Sequence, residues 1–332
     1  MRVEMNTLRA PAATDRRLPV TLLTGFLGAG KTTCLNAFMQ SPEAADTAVL
    51  VNEFGAIDVD GAVLSARLGI GSRVITLPNG CVCCAVQENL AEALLALTER
   101  RLGSVARCIV ETTGLADPGA ILRGVGHDAR LRRTAVVDRI VTVCAADRIG
   151  DQLDRFAEPQ RQIGLADRIV VSKADLATGA QRAAALGRIG AINPLADIRV
   201  AVLGGADPGA LFGEDGLGLH RLTATTAAHH HSHAVRSFAV RTGGPLDPDR
   251  FRDVMSFLIM RHAESLLRIK GVVRIAGDAE PRLVNGVHDV FASEPIAEAA
   301  APQGEGGFLV FIGVDLPEAA IRADLASCAG TP

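Results

Sequence analysis

The chain has 332 residues, of which 48% are hydrophobic, so it is long enough for one large or two ordinary domains with buried cores. Its 34 basic and 37 acidic residues give a net charge of −3, which excludes a strong overall attraction to nucleic acid or to an anionic membrane. Tyrosine and tryptophan are absent, so few aromatic side chains are present on which nucleic-acid bases could stack. No apolar run reaches the roughly 18 residues of a membrane span.

The N-terminal segment 1–17 contains no apolar stretch of the signal-peptide kind. We interpret it as a flexible tail on a cytoplasmic protein. Seven cysteines at uneven spacing favour reduced thiols or a metal site over a disulfide framework. These features together predict a protein without nucleic-acid or membrane partners.

From residue 18 to residue 222 the pattern alternates between short β-rich runs and helical stretches. The β-rich runs are almost continuously apolar, as in strands buried on both faces, and the alternation predicts right-handed βαβ units around a parallel sheet with helices on both faces. The predicted strands are 18–24, 48–53, 74–77, 108–111, 140–145 and 168–172, and the predicted helices include 32–39, 88–101 and 152–163.

A histidine-containing segment, 223–234, is typical of a linker, and a different pattern follows in 235–332. The later pattern mixes strands and helices and predicts a smaller α+β domain. Its predicted strands are 236–241, 266–276, 281–287 and 308–314, and its predicted helices are 248–261 and 317–325.

The first predicted strand leads through a glycine-rich loop directly into a helix, which is the setting of a P-loop. Glycines let backbone N–H groups converge on phosphate oxygens, and the helix N-terminus adds partial positive charge. A lysine there reaches the terminal phosphates and a threonine hydroxyl ligates Mg²⁺. The predicted nucleotide-contacting residues of this loop are Gly25, Gly28, Ala29, Gly30, Lys31, Thr32 and Thr33.

Two further motifs follow later strands. In Glu111-Thr112-Thr113-Gly114 the acid can orient Mg²⁺ and the glycine N–H can meet a γ-phosphate, so Lys31, Glu111 and Gly114 form the predicted catalytic set. In Ser172-Lys173-Ala174-Asp175 the Asp175 carboxylate can accept hydrogen bonds from guanine N1–H and N2–H₂, and the Lys173 stem can pack along the base. This second motif predicts GTP over ATP, whereas the alternative for each motif is an ordinary turn at a strand end.

Gly80-Cys81-Val82-Cys83-Cys84 places three thiols before a predicted helix, whose N-terminus favours thiolate. Three soft ligands suit Zn²⁺ or Cu(I), with a fourth ligand from elsewhere or from water, and redox sensing or inert packing are the alternatives. The cluster His229–His233 either collects divalent metal weakly or is a polar linker without a further role. We interpret the other cysteines as packing residues: Cys34, Cys108, Cys144 and Cys328.

Together these pieces resemble the CobW-like family of P-loop GTPases, relatives of the nickel-insertion GTPases for urease and hydrogenase. The resemblance implies a GTPase domain followed by a CobW-type C-terminal domain, and hydrolysis of GTP with Mg²⁺. It also implies Zn²⁺ or another divalent transition metal at Cys81, Cys83 and Cys84, delivered to a client metalloprotein under nucleotide control. The residues that carry the resemblance lie in 21–33, 51–55, 77–84, 111–118 and 162–176, and in LLRIKGVVRI and FIGVDLP of the second domain.

The resemblance further implies that Asn52-Glu53-Phe54-Gly55 is a first switch, with Glu53 near the metal or Mg²⁺. Ala56 and Val51 stand where relatives often carry acids, which argues against an additional carboxylate metal site there. We expect slow intrinsic turnover, because no arginine finger or dedicated base is recognisable. The sequence does not decide whether the chain forms a homodimer. It also leaves three alternative functions undecided: a cobalt-handling GTPase for cobalamin synthesis, a small-molecule kinase and a non-catalytic metal or redox sensor.

Only three lysines occur in the chain, and two of them, Lys31 and Lys173, fall in the nucleotide motifs. The third, Lys270, lies at a predicted strand start in the second domain. It is either a solvated strand-end charge or a residue that faces the GTPase domain or a client.

Overall fold

The computed structural model describes residues 17–51, 74–76, 85–99, 105–201, 235–298, 301 and 306–330. The described residues fall into two compact units. The first runs to Arg188 and resumes at Ala196, and the second contains Ile189–Leu195 and the residues from 235 onward. The predicted domain boundaries at 222 and 234 and nearly all of the predicted tail lie outside the described residues, so the proposed division of the chain stays a prediction. Within the described part, no helix is both long and apolar enough to cross a membrane.

Seven parallel strands form the sheet of the first unit. They are β1 (Leu18–Thr24), β2 (Thr47–Val51), β3 (Val74–Thr76), β4 (Arg107–Glu111), β5 (Ala135–Ala145), β6 (Arg168–Ser172) and β7 (Asp197–Val200). Their order is β3-β2-β4-β1-β5-β6-β7, so β1 lies centrally, with Leu22 opposite Val110 of β4 on one side and Ile140 of β5 on the other. The predicted parallel α/β sheet is confirmed.

The α-helices described in this unit lie between the strands. They are α1 (Lys31–Met39), α2 (Ala85–Glu99), α3 (Pro118–His127), α4 (Leu131–Thr134), α5 (Ile149–Arg155), α6 (Ala157–Leu165) and α7 (Gly179–Ile192), whose residues from Ile189 onward belong to the second unit. Right-handed crossovers place α1, which leads toward β2, on one face of the sheet, and place the helices that lead back toward β7 on the other face. Leu35 and Phe38 of α1 are buried in a cluster with sheet residues such as Val49 and Val143. These buried contacts fix the start of α1 at the end of β1.

The predicted single helix over 152–163 is wrong, because the structure has α5 and α6 with an extended residue, Phe156, between them (φ −135°, ψ 143°). Pro159 explains the break: in a continuous helix it would lack the N–H for the Arg155 carbonyl, whereas in the first turn of α6 no such donor is needed. Strand β5 also begins five residues before the predicted start. The prediction started too late because Asp138 and Arg139 interrupt the apolar pattern of this strand.

An antiparallel sheet with two helices forms most of the second unit. Its elements are β8 (Val235–Thr242), α8 (Pro248–Arg261), β9 (Leu266–Val273), β10 (Arg282–Val287), β11 (Val290–Pro295), β12 (Gly307–Val314) and α9 (Glu318–Ala326). The strand order is β11-β10-β9-β12-β8. Phe251 and Leu258 of α8 and Leu325 of α9 share a buried cluster with Ile269 and Phe311 of the sheet. The predicted α+β domain and its β9–β10 strand pair are confirmed.

Two details of this unit differ from the sequence prediction. Strand β11 was not predicted, and it pairs with β10 through a tight turn in which His288 has a positive φ of 50°. Lys270 does not lie at a strand start: it is an interior residue of β9, half-buried, opposite Asn285 of β10 and Val310 of β12. The interpretation of Lys270 as a solvated strand-end charge is therefore wrong.

Candidate functional site

A glycine-rich loop connects β1 to α1 at the carboxyl edge of the parallel sheet. Gly25, Gly28 and Gly30 have φ values of 139°, 71° and 95°, which favour glycine. At Gly25 a Cβ atom would lie 2.2 Å from the carbonyl oxygen of Val143 in β5, so the neighbouring strand also excludes a side chain. Helix α1 then starts at Lys31 with no acidic residue in its first turn and no side-chain cap. The loop and this helix start therefore suit an anion.

The Lys31 ammonium folds back onto this loop. Its Nζ donates hydrogen bonds to the carbonyl oxygens of Gly25 at 2.8 Å and Phe26 at 3.5 Å. Burial lowers the pKa of Lys31 from its ordinary value, and the negative charge of Glu111 opposes that effect. Carbonyl oxygens thus hold the ammonium beside the loop, where it is partly desolvated and the field of a nearby anion would act on it strongly.

The next residue of α1 meets the end of β4. Thr32 Oγ1 donates a hydrogen bond of 2.8 Å to Oε1 of Glu111, which is buried at the last position of that strand. The structure therefore brings together three predicted site residues, Lys31, Thr32 and Glu111, from two elements. Thr33, also predicted, is exposed on the first turn of α1. A hydroxyl and a carboxylate side by side offer the hard oxygen donors that Mg²⁺ binds.

The segment after β4 lies against the glycine-rich loop. Thr112 continues the ladder by donating its N–H to the Leu23 carbonyl at 2.9 Å, and its hydroxyl donates to Oγ1 of Thr24 at 2.9 Å. At Gly114, a Cβ atom would lie 2.6 Å from Leu27 Cδ2 and 2.8 Å from the Leu27 nitrogen. Gly114 is thus in close contact with the loop.

The second predicted motif, after β6, is bonded to the same loop. Ser172 Oγ donates to the Ala29 carbonyl at 2.6 Å, and Lys173 Nζ donates to the Gly28 carbonyl at 2.8 Å. Lys173 itself has a positive φ of 54°, and Asp175 follows it in an exposed turn. The structure therefore joins the predicted phosphate and base segments, although 143 residues separate Ser172 from Ala29.

Other predicted site residues lie outside the described residues. They are Glu53, the cysteines Cys81, Cys83 and Cys84, and the cluster His229–His233. In the part of the chain that the structure describes, no group of three His, Cys, Asp or Glu side chains is placed to hold a metal. The four described cysteines are buried, and burial raises the pKa of Cys34 to about 11 and that of Cys144 to about 12, so these thiols stay protonated.

Sequence reasoning assigned no role at this site to Gln162 of α6, although Gln162 begins the segment 162–176 that carries the family resemblance. Its buried side-chain amide donates to the carbonyl oxygens of Gly114 at 3.2 Å and Ala116 at 3.1 Å. A glutamine in an amphipathic helix carries no local marker of such a contact, because 48 residues separate it from Gly114.

Comparisons with known proteins agree with this architecture. The family model described as CobW/HypB/UreG, nucleotide-binding domain, matches residues 19–199, and the model described as Cobalamin synthesis protein cobW C-terminal domain matches residues 235–329. The chain is 34% identical to the zinc chaperone YjiA of Escherichia coli over 320 residues, 93% of this chain and 98% of the relative. It is 29% identical to the zinc chaperone CobW of a Sinorhizobium species, over 96% of this chain and 98% of that protein.

The solved structures include a close match in fold. The crystal structure of the Zn(II)-bound YjiA GTPase from E. coli superposes with a TM-score of 0.70 at 28% identity, covering 95% of this chain and 99% of the other. The two matched family models follow one another along the chain in the order of its two predicted domains. This chain therefore belongs to the CobW branch of the CobW/HypB/UreG family of nucleotide-binding proteins.

Proposed function

We propose that this chain is a GTP-hydrolysing metallochaperone that binds Zn²⁺ through Cys81, Cys83 and Cys84 and delivers it to a client metalloprotein. One observation carries the nucleotide part of the proposal: Ser172 and Lys173 of the base segment donate hydrogen bonds to the phosphate loop. A nucleotide that spans both segments would meet a phosphate site and a base site that are already joined. Two relatives of this chain are zinc chaperones, which supports Zn²⁺ as the cargo.

The residues at the phosphate loop fit a magnesium ion, because the Thr32 hydroxyl and the Glu111 carboxylate are hard donors 2.8 Å apart. When bound, Mg²⁺ supplies charge neutralisation at the β- and γ-phosphates. Lys31 would exchange its carbonyl partners for phosphate oxygens and stabilise the charge that develops on the leaving group. The N–H of Gly114 would donate to the γ-phosphate, and water would be the nucleophile.

Base selection rests on Asp175, whose exposed carboxylate follows Lys173 at the edge of the site. Guanine offers the N1–H and N2–H₂ donor pair to this carboxylate, and adenine does not. We therefore expect GTP, and not ATP, to displace a fluorescent GDP analogue from the protein. Equal displacement by ATP would favour a kinase of small molecules over the proposed GTPase. In an Asp175→Ala variant the preference for GTP should fall while phosphate-dependent binding persists.

Control of metal transfer by nucleotide requires that the GTP and GDP states bind Zn²⁺ with different affinities. The direct test is a Zn²⁺ titration of the protein loaded with a non-hydrolysable GTP analogue and of the protein loaded with GDP. The matched control replaces Cys81, Cys83 and Cys84 by serine, which should abolish tight zinc binding while nucleotide binding is kept. Equal zinc affinities in the two nucleotide states would contradict the proposed coupling.

A further inference from the structure

The buried amide of Gln162 contacts the segment that follows β4. Its Nε2 atom donates to the carbonyl oxygens of Gly114 at 3.2 Å and Ala116 at 3.1 Å, and the residue is only 1% exposed. A primary amide nitrogen carries two N–H donors, so both donors of Gln162 can be used on this one segment. The side chain thus binds two carbonyl groups that are two residues apart in the chain.

Gln162 is itself held in place by the sheet. The Thr142 hydroxyl of β5 donates a 2.8 Å hydrogen bond to the Gln162 carbonyl oxygen, and Thr142 is buried. The next residue of α6, Ile163, is fully buried as well. Because its backbone is anchored to a central strand, Gln162 presents its two donors from a fixed position.

The segment that Gln162 contacts is fixed at both ends by other bonds. Thr112 is bonded to β1 through its N–H and its hydroxyl, and Asp117 caps α3 by accepting the Gly119 N–H at 2.8 Å. The residues between these ends, Thr113 to Ala116, include Gly114, which lies against Leu27 of the phosphate loop. Gln162 therefore fixes the middle of a short segment whose ends are already set.

The two hydrogen bonds also set the direction of the peptide groups. The structure contains no cis peptide bond among its described residues, and in a trans peptide the carbonyl and the following N–H point in opposite directions. With the carbonyl of Gly114 turned toward Gln162, the N–H of Leu115 points away from it. Rotation of this peptide would break a buried hydrogen bond.

We infer that Gln162 is a positioning residue that presets the Gly114 segment for the terminal phosphate of GTP. This inference rests on the proposed GTPase function and adds to it a residue that raises the affinity for GTP relative to the affinity for GDP. GTP has the phosphate that reaches Gly114, whereas GDP does not. When the segment is already ordered, GTP binding does not have to order it, and affinity for GTP is gained without a new contact to the nucleotide.

The test compares Gln162→Met, which keeps the size of the side chain but removes both donors, with Gln160→Met on the same helix. The Gln160 amide donates to the Leu153 carbonyl of α5 at 2.9 Å, so Gln160→Met removes an amide on the same helix that is bonded to a different element. We expect Gln162→Met to weaken binding of a non-hydrolysable GTP analogue by about tenfold and to raise KM for GTP, with GDP affinity unchanged. Gln160→Met should leave the ratio of the two affinities at the value of the unmodified protein.

A second variant keeps the test informative if Gln162→Met loses structure, as judged by thermal unfolding. Gln162→Glu has the same shape and can donate one hydrogen bond when its carboxyl is protonated, so its ratio of GTP to GDP affinity should recover partly as the pH falls. A ratio unchanged from the unmodified protein in both variants would overturn the inference, as would equal losses for GTP and GDP. If the unmodified protein binds no GTP, the proposed function itself fails, and that outcome is distinct from the others.

Discussion

Ser172 at the end of β6 donates a hydrogen bond of 2.6 Å to the carbonyl oxygen of Ala29 in the phosphate loop. Both residues are buried, and the same hydroxyl lies 3.3 Å from the Cys144 carbonyl oxygen of β5. One side chain thus ties the base segment, the phosphate loop and a strand between them. In Ser172→Ala the Ala29 carbonyl loses this donor, and a buried acceptor left unpaired costs about 1–3 kcal/mol.

For Ser172→Ala we expect the affinities for GTP and for GDP to fall together, by about tenfold, because both nucleotides use the loop and the base segment. Binding of fluorescent GDP and GTP analogues, with thermal unfolding of the free protein, measures both effects. The control is Ser327→Ala, whose hydroxyl makes a comparable 2.6 Å bond to the Asp324 carbonyl but lies in the second unit. Nucleotide affinity that survives Ser172→Ala unchanged would contradict a shared role for this bond.

Gly114→Ala should disrupt the contact between the segment after β4 and the phosphate loop. The new Cβ would lie 2.8 Å and 2.9 Å from the nitrogen and Cα of Leu27, and backbone atoms cannot move aside as a flexible side chain can. Overpacking of this kind costs about 1–3 kcal/mol, so we expect GTP hydrolysis to fall at least tenfold and the unfolding temperature to decrease.

The comparison for this substitution is Gly187→Ala in α7, where the new Cβ would have no atom within 4 Å apart from those of its chain neighbours and of the helix's own backbone. Alanine in a helix interior is favoured over glycine by roughly 0.5–1 kcal/mol, so this variant should be slightly more stable and hydrolyse GTP normally. A Gly114→Ala protein with full GTPase activity would show that the segment can shift without loss of function.

Thr32→Ala removes the hydroxyl that pairs with Glu111 Oε1 at 2.8 Å. If this pair forms the magnesium site, the Mg²⁺ concentration needed for half-maximal GTP hydrolysis should rise by about tenfold or more. Thr32→Ser keeps the hydroxyl and should restore the requirement of the unmodified protein. Steady-state hydrolysis across a Mg²⁺ titration measures the shift, and an identical Mg²⁺ dependence of Thr32→Ala and the unmodified protein would rule out the hydroxyl as a ligand.

The described nucleotide site could be predicted because its residues follow apolar parallel strands. Gly25, Glu111 and Ser172 each come at or directly after the end of such a strand, and the carboxyl ends of parallel strands share one edge of the sheet. Their convergence therefore follows from topology once the strands are recognised. The glycines added a second local signal, since their positive φ values are conformations that other residues avoid.

The remaining features depend on tertiary contacts that leave no local pattern. Gln162 becomes a site residue only because α6 lies beside the Gly114 segment. Strand β5 extends through Asp138 because the Thr21 hydroxyl pairs with its carboxylate at 3.0 Å, a contact across two strands. In each case a residue distant in the sequence determines the local structure or the role of the side chain.

The same Asp138 carboxylate predicts a pH dependence of stability. Removal from water raises its pKa above the usual value, against the opposing charge of Arg139 and the Thr21 hydrogen bond. The unfolded chain therefore loses this proton at lower pH than the folded chain does. Between the two pKa values the folded state binds more protons, so the stability that Asp138 contributes is present in acid and is lost as the pH rises through the folded-state pKa.

Asp138→Asn keeps an oxygen that can accept from Thr21 but cannot ionise. Relative to the unmodified protein it should gain stability as the pH rises from acid to neutral, by about 1.4 kcal/mol for each unit that separates the folded and unfolded pKa values of Asp138. Urea unfolding across that range measures the difference.

The control is Asp128→Asn, for which the stability difference should change with pH in the opposite direction. A side-chain hydrogen bond from Arg130 holds the pKa of Asp128 below its usual range. That variant should be less stable than the unmodified protein at neutral pH, and the difference should vanish in acid, because the contribution of Asp128 is lost there. If both variants shift in the same direction with pH, the change reflects net charge and not the environment of either carboxylate.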